Sequence, residues 1–375
     1  MNKEKKIILY GPNGEKLKFK KKEKIEETDF VEYEPIILPK FKELKKNIDK
    51  IVWGNEHAKK KLITAMKYLE NRIKIPEIEM KKGNVLFFGN TGTGKTFLTK
   101  KLFTEAKVPF LELKLTGISA EGYNGESISE IFNQLIKISD EEEEEFSFDE
   151  YNLPEFIKNS NYAVIHLDEI DKLATQNQTN FSSELQNELI NYIEEKILFE
   201  GNLSTKNMLF IGSGAFVGLE EIIMKRLTKR GSIGFNFSQD EKNKEIDNNK
   251  IFSYVTHEDL IKYGLKPELV GRFSNLTYTD PLKKKDLISI MDLETSDLNS
   301  EIDMIDAAYG VEVILEKEAK EEIADYVSKT KINARGLETA VKKILEPIYE
   351  TIEDCPVGEK IIIDLNTAKQ RLYNN

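Results

Sequence analysis

"VLFFGNTGTGKTFLTKKLF" occupies residues 85–103. An apolar run leads into a glycine-rich turn, then a lysine and a threonine, then helical spacing. Within it, "GNTGTGKT" (89–96) matches G-x-x-x-x-G-K-[ST], with the strand before and the helix after that the pattern requires. Gly89, Gly92 and Gly94 let the backbone curl and turn its N–H groups inward, and the helix that starts there adds the positive end of its dipole. The stretch Gly89, Asn90, Thr91, Gly92, Thr93, Gly94, Lys95, Thr96 therefore reads as a phosphate cradle for a nucleoside triphosphate. Lys95 is expected to reach the β/γ-phosphates and the Thr96 hydroxyl to ligate Mg²⁺. The bland alternative is a glycine-rich turn without a ligand; the complete match and both flanks speak against it.

A phosphate site also needs a second metal ligand and a group that activates water. "YAVIHLDEIDK" (162–172) offers both. Asp168 ends an apolar strand, where a carboxylate can hold hydrated Mg²⁺, and Glu169 follows, placed to polarise the attacking water. Standing alone, the pair would read equally well as a solvated acidic turn. His166 reads as a packed core histidine rather than a ligand.

Strand-like runs recur outward from the cradle: 84–88, 110–115, 162–167, 207–212 and 275–279, with helical stretches between most of them. That alternation predicts an α/β fold with a parallel sheet covered on both faces. After Pro281 helical patterns dominate, with short β-like pieces at "VEVIL" (311–315) and "KIIIDL" (360–365). The expected organisation is a basic tail over 1–40, a large α/β domain over 41–281, a small, mainly helical α+β domain over 282–367, and a short tail over 368–375. "DEEEEEFSFDE" (140–150) reads as a solvated acidic insertion.

The composition narrows the class. The chain has 375 residues, 39% apolar and 32% charged, enough for a folded core. One cysteine and three histidines exclude a disulfide framework and a cysteine-rich zinc site, and fit a reducing, cytoplasmic compartment. No apolar run approaches the roughly 18 residues of a membrane span. The net charge of −11 argues against nucleic acid as a partner.

With these motifs in place, the chain resembles the Clp/Hsp100 group of AAA+ ATPases, and within it the ClpX unfoldases, over about residues 41–367. "IVWGNEHAKKKL" (51–62) is similar to the segment that lines the adenine pocket in that family, with Ile51 and Val52 as apolar contacts. "MLFIGSGAFVGLEEII" (208–223) resembles the sensor-1 strand and assigns Ser213 as the polar sensor. "THEDLIKYGLKPELVGRF" (256–273) is similar to the stretch ending in the arginine finger, here Arg272. "INARGLETAVKKIL" (332–345) resembles the sensor-2 helix, with Arg335 toward the γ-phosphate.

The resemblance implies a P-loop AAA+ large domain with a small C-terminal lid, and a homo-oligomeric ring, usually a hexamer, whose sites lie between protomers. It implies protein substrates, gripped in the pore by Tyr123 of Gly122-Tyr123-Asn124-Gly125, where Asn124 replaces the usual aliphatic residue. It also implies a ClpP-like peptidase partner docked by the loop bearing Ile233, Gly234 and Phe235. The family's N-terminal zinc-binding domain is expected to be missing, with a short lysine-rich tail in its place. Three rivals stay open: a stand-alone remodeller without a peptidase, a DNA-associated motor, and a nucleotide-gated scaffold without turnover.

Overall fold

The computed structural model describes residues 9–10, 16–17, 38–75, 78, 80–115, 162–174, 180–198, 203–230, 248–293, 296–330 and 333–373. Tyr123, the Ile233–Phe235 tripeptide and the acidic stretch 140–150 lie outside the described residues. The chain divides into two compact units. The first takes residues from 1–45, 57–88 and 96–278; the second takes them from 46–56, 89–95 and 279–375.

In chain order, the elements up to residue 278 begin with the antiparallel pair β1 (Leu9–Tyr10) and β2 (Lys16–Leu17). Helices α1 (Phe41–Ile51) and α2 (Glu56–Lys74) follow. Then come β3 (Val85–Phe88), α3 (Lys95–Glu105), β4 (Phe110–Lys114), β5 (Val164–Asp168) and α4 (Asn180–Glu194). The short antiparallel strands β6 (Ile197–Leu198) and β7 (Leu203–Ser204) precede β8 (Leu209–Gly214). Helices α5 (Leu219–Arg230), α6 (His257–Tyr263) and α7 (Pro267–Gly271) lead to β9 (Asn275–Tyr278).

Five of these strands form one parallel sheet in the order β4-β5-β8-β3-β9. All five are the runs that the sequence marks as strands, shifted by no more than a couple of residues at their ends. The reason is burial on both faces: β3 and β8 are buried at every position, so each reads as an unbroken apolar or small-residue run. Leu86, Phe88, Ile165, Leu167 and Phe210 carry the core on the face packed by α4, α5 and the 251–273 segment. The β3, β5 and β8 strands run side by side, so their carboxyl ends lie together; in parallel α/β sheets that edge is where ligands bind.

The second unit has its own core. Helices α8 (Lys284–Met291), α9 (Asp297–Tyr309), α10 (Lys317–Lys329), α11 (Arg335–Tyr349) and α12 (Leu365–Tyr373) surround a parallel pair, β10 (Glu312–Leu315) and β11 (Lys360–Ile363). Helix α11 presents Leu337, Ala340, Val341, Ile344, Leu345 and Ile348 to this core, the 3.6-residue spacing of one buried face. Its first residue is Arg335.

Candidate functional site

The turn after β3 belongs to the second unit, and its carbonyls are all engaged. Lys95 Nζ donates to Gly89 O at 2.6 Å and to Asn90 O at 3.0 Å, and Thr93 Oγ1 also donates to Asn90 O at 2.7 Å. Asn333 Nδ2 donates to Thr91 O at 2.9 Å, the Ala334 amide to Gly92 O at 3.1 Å, and Asn55 Nδ2 to Thr93 O at 3.4 Å. A carbonyl oxygen aimed at a phosphate would repel it. Holding five successive carbonyls on donors keeps them off an anion and leaves the backbone N–H groups to face it. Three glycines are required for this shape. Gly92 and Gly94 sit at φ +77° and +85°, and a Cβ on Gly89 would collide with the Thr279 hydroxyl, which itself donates to Thr93 Oγ1 at 2.7 Å.

Arg335 enters the same unit through this loop. Asn333, at φ +53°, and Ala334 supply two of the five donors, and α11 starts at the next residue. Ile51 is half-buried at the end of α1, and Val52 beside it is buried. Asn55 couples to this region by accepting from the Asp280 amide at 3.1 Å. Reading the sequence missed Asn55, Thr279 and Asn333. Asn333 in the left-handed region is the kind of place Asn tolerates, but nothing in its local sequence names Thr91 as its partner.

In the first unit the ends of β5 and β8 make a short polar chain. Thr96 Oγ1 donates to Asp168 Oδ2 at 3.2 Å, and Ser213 Oγ donates to Asp168 Oδ1 at 2.6 Å. The Ser213 hydroxyl is also 2.9 Å from His166 Nε2. Strand register places Ser213 opposite Asp168 on one side and Phe87 on the other. His166 is fully buried in the sheet, where it braces Ser213. Burial pushes the Asp168 carboxyl up, but the Ser213 hydroxyl, the charge of the His166 ring, the Glu169 amide and the Thr96 hydroxyl outweigh it. They hold the carboxyl below its ordinary value of 3.8. Next door on β4, burial first and then the Asp168 charge raise Glu112.

This donor set fits a small hard cation. A hydroxyl and an ionised carboxylate converge, and among the described residues no group of three His, Cys, Asp or Glu side chains could hold a metal. Mg²⁺ suits such a place, because it keeps most of its waters and takes one or two carboxylates plus substrate phosphates. Glu169 follows Asp168 at φ +60°, a conformation that costs a non-glycine residue energy and that clusters at functional sites. Arg272 lies just past α7, is half-exposed, and forms an ion pair with Glu194.

The Asp168 arrangement has a pH consequence. A carboxyl held below its ordinary value contributes stability that is full above 3.8 and is lost as pH falls through the lowered value. Ser213→Ala removes the strongest of the hydrogen bonds that lower it. The Asp168 titration, followed by carboxyl NMR, is therefore expected to move to higher pH, and acid unfolding of the variant to begin at higher pH. An unmoved titration would show that Ser213 does not hold the charge.

A family model described as "AAA domain (Cdc48 subfamily)" matches residues 80–276, from just before β3 into β9. Among curated proteins, the ATP-dependent Clp protease ATP-binding subunit ClpX of Borrelia duttonii is 33% identical over 350 residues, covering 87% of this chain and 77% of the relative. ClpX of Bacteroides thetaiotaomicron is 30% identical, over 89% of this chain and 82% of the relative. The Porphyromonas gingivalis protein of the same name is 28% identical, over 93% and 86%. The chain belongs to the ClpX family of AAA ATPases. It is accordingly a nucleotide-binding ATPase of the Clp chaperone class. Among the described residues no helix is long and apolar enough to cross a membrane.

Proposed function

We propose that this ClpX-family chain is an ATP-driven protein unfoldase that works as a ring, usually a hexamer in the family, and passes its substrates to a ClpP-type peptidase. The observation that carries the reading is the pairing of Thr96, the residue after the cradle lysine, with an Asp168 carboxylate kept ionised at the carboxyl edge of the sheet. Around it, each residue takes one role. The 89–95 loop and Lys95 bind the triphosphate, and Ile51 and Val52 pack on the adenine. Thr96 and Asp168 would hold Mg²⁺, which when bound neutralises phosphate charge. Glu169 orients and deprotonates the attacking water. Ser213 fixes Asp168 and reports on the γ-phosphate side of the site. Arg335 reads the γ-phosphate within its own subunit, and Arg272 reaches the site of the neighbouring subunit.

Tyr123 is the pore residue in this reading. A large amphipathic ring on a glycine-flanked loop grips polypeptide without regard to sequence, because it packs on backbone and side chains alike. Ile233 and Phe235 are the apolar anchors offered to the peptidase.

The test is degradation of a tagged, folded protein by this chain together with a ClpP-type peptidase, with and without ATP. Degradation that needs both ATP and the peptidase is expected. Tyr123→Ala is expected to raise the number of ATP molecules consumed per substrate unfolded. Phe235→Ala is expected to abolish co-purification with the peptidase. Capture of the peptidase that does not depend on Phe235 would favour the stand-alone remodeller.

A further inference from the structure

We infer that Asn84 and Glu194 are positioning residues for Arg272, one holding its main chain and the other its guanidinium. The inference rests on the reading of Arg272 as the group that serves a neighbouring subunit's site. Such a group must be presented from the protein surface, yet it has to arrive at a phosphoryl group in one geometry. Arg272 stands at the end of a five-residue helix, which by itself gives little rigidity.

Asn84 supplies the main-chain anchor. It is 1% exposed, immediately before β3. Its Nδ2 donates to the Arg272 carbonyl at 2.9 Å, while its Oδ1 accepts from the Phe210 amide at 3.0 Å. Its own carbonyl accepts from the Asn275 amide at 3.1 Å. The Asn84 side-chain amide thus ties the arginine to the starts of β3 and β8, and its main-chain carbonyl adds the start of β9. Two of those strands run on to the functional edge: β3 into the cradle turn and β8 into Ser213. The residue after the arginine is locked as well, since Phe273 is fully buried and its carbonyl is 2.9 Å from His257 Nε2.

Glu194 supplies the second anchor, as the last residue of α4. Helix α4 is fastened to the segment before Arg272 at three further points. The Lys266 amide donates to Gln186 Oε1 at 2.8 Å, and Lys266 Nζ donates to Ser183 O at 2.9 Å and Asn187 Oδ1 at 2.7 Å. The carboxylate therefore sits on a helix tied to the arginine segment. A guanidinium has five N–H donors in a rigid fork, so a carboxylate at Nη2 orients the fork and leaves donors for an anion. Exposed ion pairs add little to stability, so orientation is the larger effect of this one.

The experiment uses the assembled full-length ring and the variants Glu194→Gln, Asn84→Asp and Arg272→Ala, singly and combined. Asn84→Asp keeps the acceptor for Phe210 and removes the donor to Arg272. Each of the two positioning variants is expected to lower kcat by up to about 10²-fold, the cost of a misplacement on the order of 1 Å, with KM little changed. Neither is expected to lower kcat further once Arg272 is alanine. Wild-type kcat in both variants, or losses that persist undiminished on the Arg272→Ala background, would overturn the inference. Full turnover by Arg272→Ala itself would instead overturn the parent reading and this one with it. Glu194 is half-exposed and its substitution leaves the core untouched, so Glu194→Gln decides the matter even if Asn84→Asp does not fold.

Discussion

Glu169→Gln is expected to bind ATP and hold it, with turnover lower by about 10²–10⁴-fold, the usual contribution of a positioned general base. Glutamine matches glutamate in size, so the left-handed turn at φ +60° has no new steric reason to change. What is lost is a carboxylate able to take a proton from water. In the proposed site the binding groups lie elsewhere, on the 89–95 loop and on Thr96 and Asp168, and the Glu169 amide still donates to Asp168 Oδ1 at 3.0 Å. Single-turnover hydrolysis of radiolabelled ATP, alongside the dissociation constant of a fluorescent ATP analogue, separates the two effects. Turnover within a few-fold of the unsubstituted chain would remove Glu169 from the chemistry. Weakened binding in step with turnover would make it a ligand-holding residue instead.

The second large effect concerns Arg272. In GTPases an arginine that stabilises the transferring phosphoryl group accounts for about 10³–10⁵ in rate. Arg272→Ala is expected to lose turnover on that scale in a ring that still assembles and still binds nucleotide. The informative experiment mixes it with Glu169→Gln. Each variant is inactive alone, for different reasons. An Arg272→Ala subunit keeps its own Glu169, and a Glu169→Gln neighbour keeps its arginine. If the arginine acts across a head-to-tail interface, an equal mixture restores activity at roughly a quarter of the interfaces. If it acted within its own subunit, no mixture would recover anything. The size of the recovery against mixing ratio is therefore a direct test of where the group works.

Much of this molecule is written locally. The cradle is eight consecutive residues, so its pattern is legible without knowledge of the distant partners that shape its loop. The five sheet strands are legible because a parallel strand buried on both faces must be continuously apolar or small, and such runs stand out against charged helices. Asp168 and Glu169 are legible for the same reason: a paired carboxylate that closes an apolar strand marks the sheet's carboxyl edge. The buried face of α11, from Leu337 to Ile348, follows from helical spacing, and so does the place of Arg335 at its start.

The residues that hold the site in shape are a different matter. Ser213 meets Asp168 across 45 residues, Asn84 meets Arg272 across 188, and Asn333 meets Thr91 across 242. A buried amide or hydroxyl shows only that it needs a partner. Which partner it finds is set by strand order and register, and these come from the packing of the whole sheet. Thus the chain's own order of residues determined that a glycine-rich turn would follow β3 and that Asp168 would close β5. Only the tertiary structure decided how the loop carbonyls are turned away, which hydroxyl keeps Asp168 charged, and what steadies Arg272. Hydrogen bonds between distant segments leave no periodic trace in sequence, whereas apolar burial and backbone turns do.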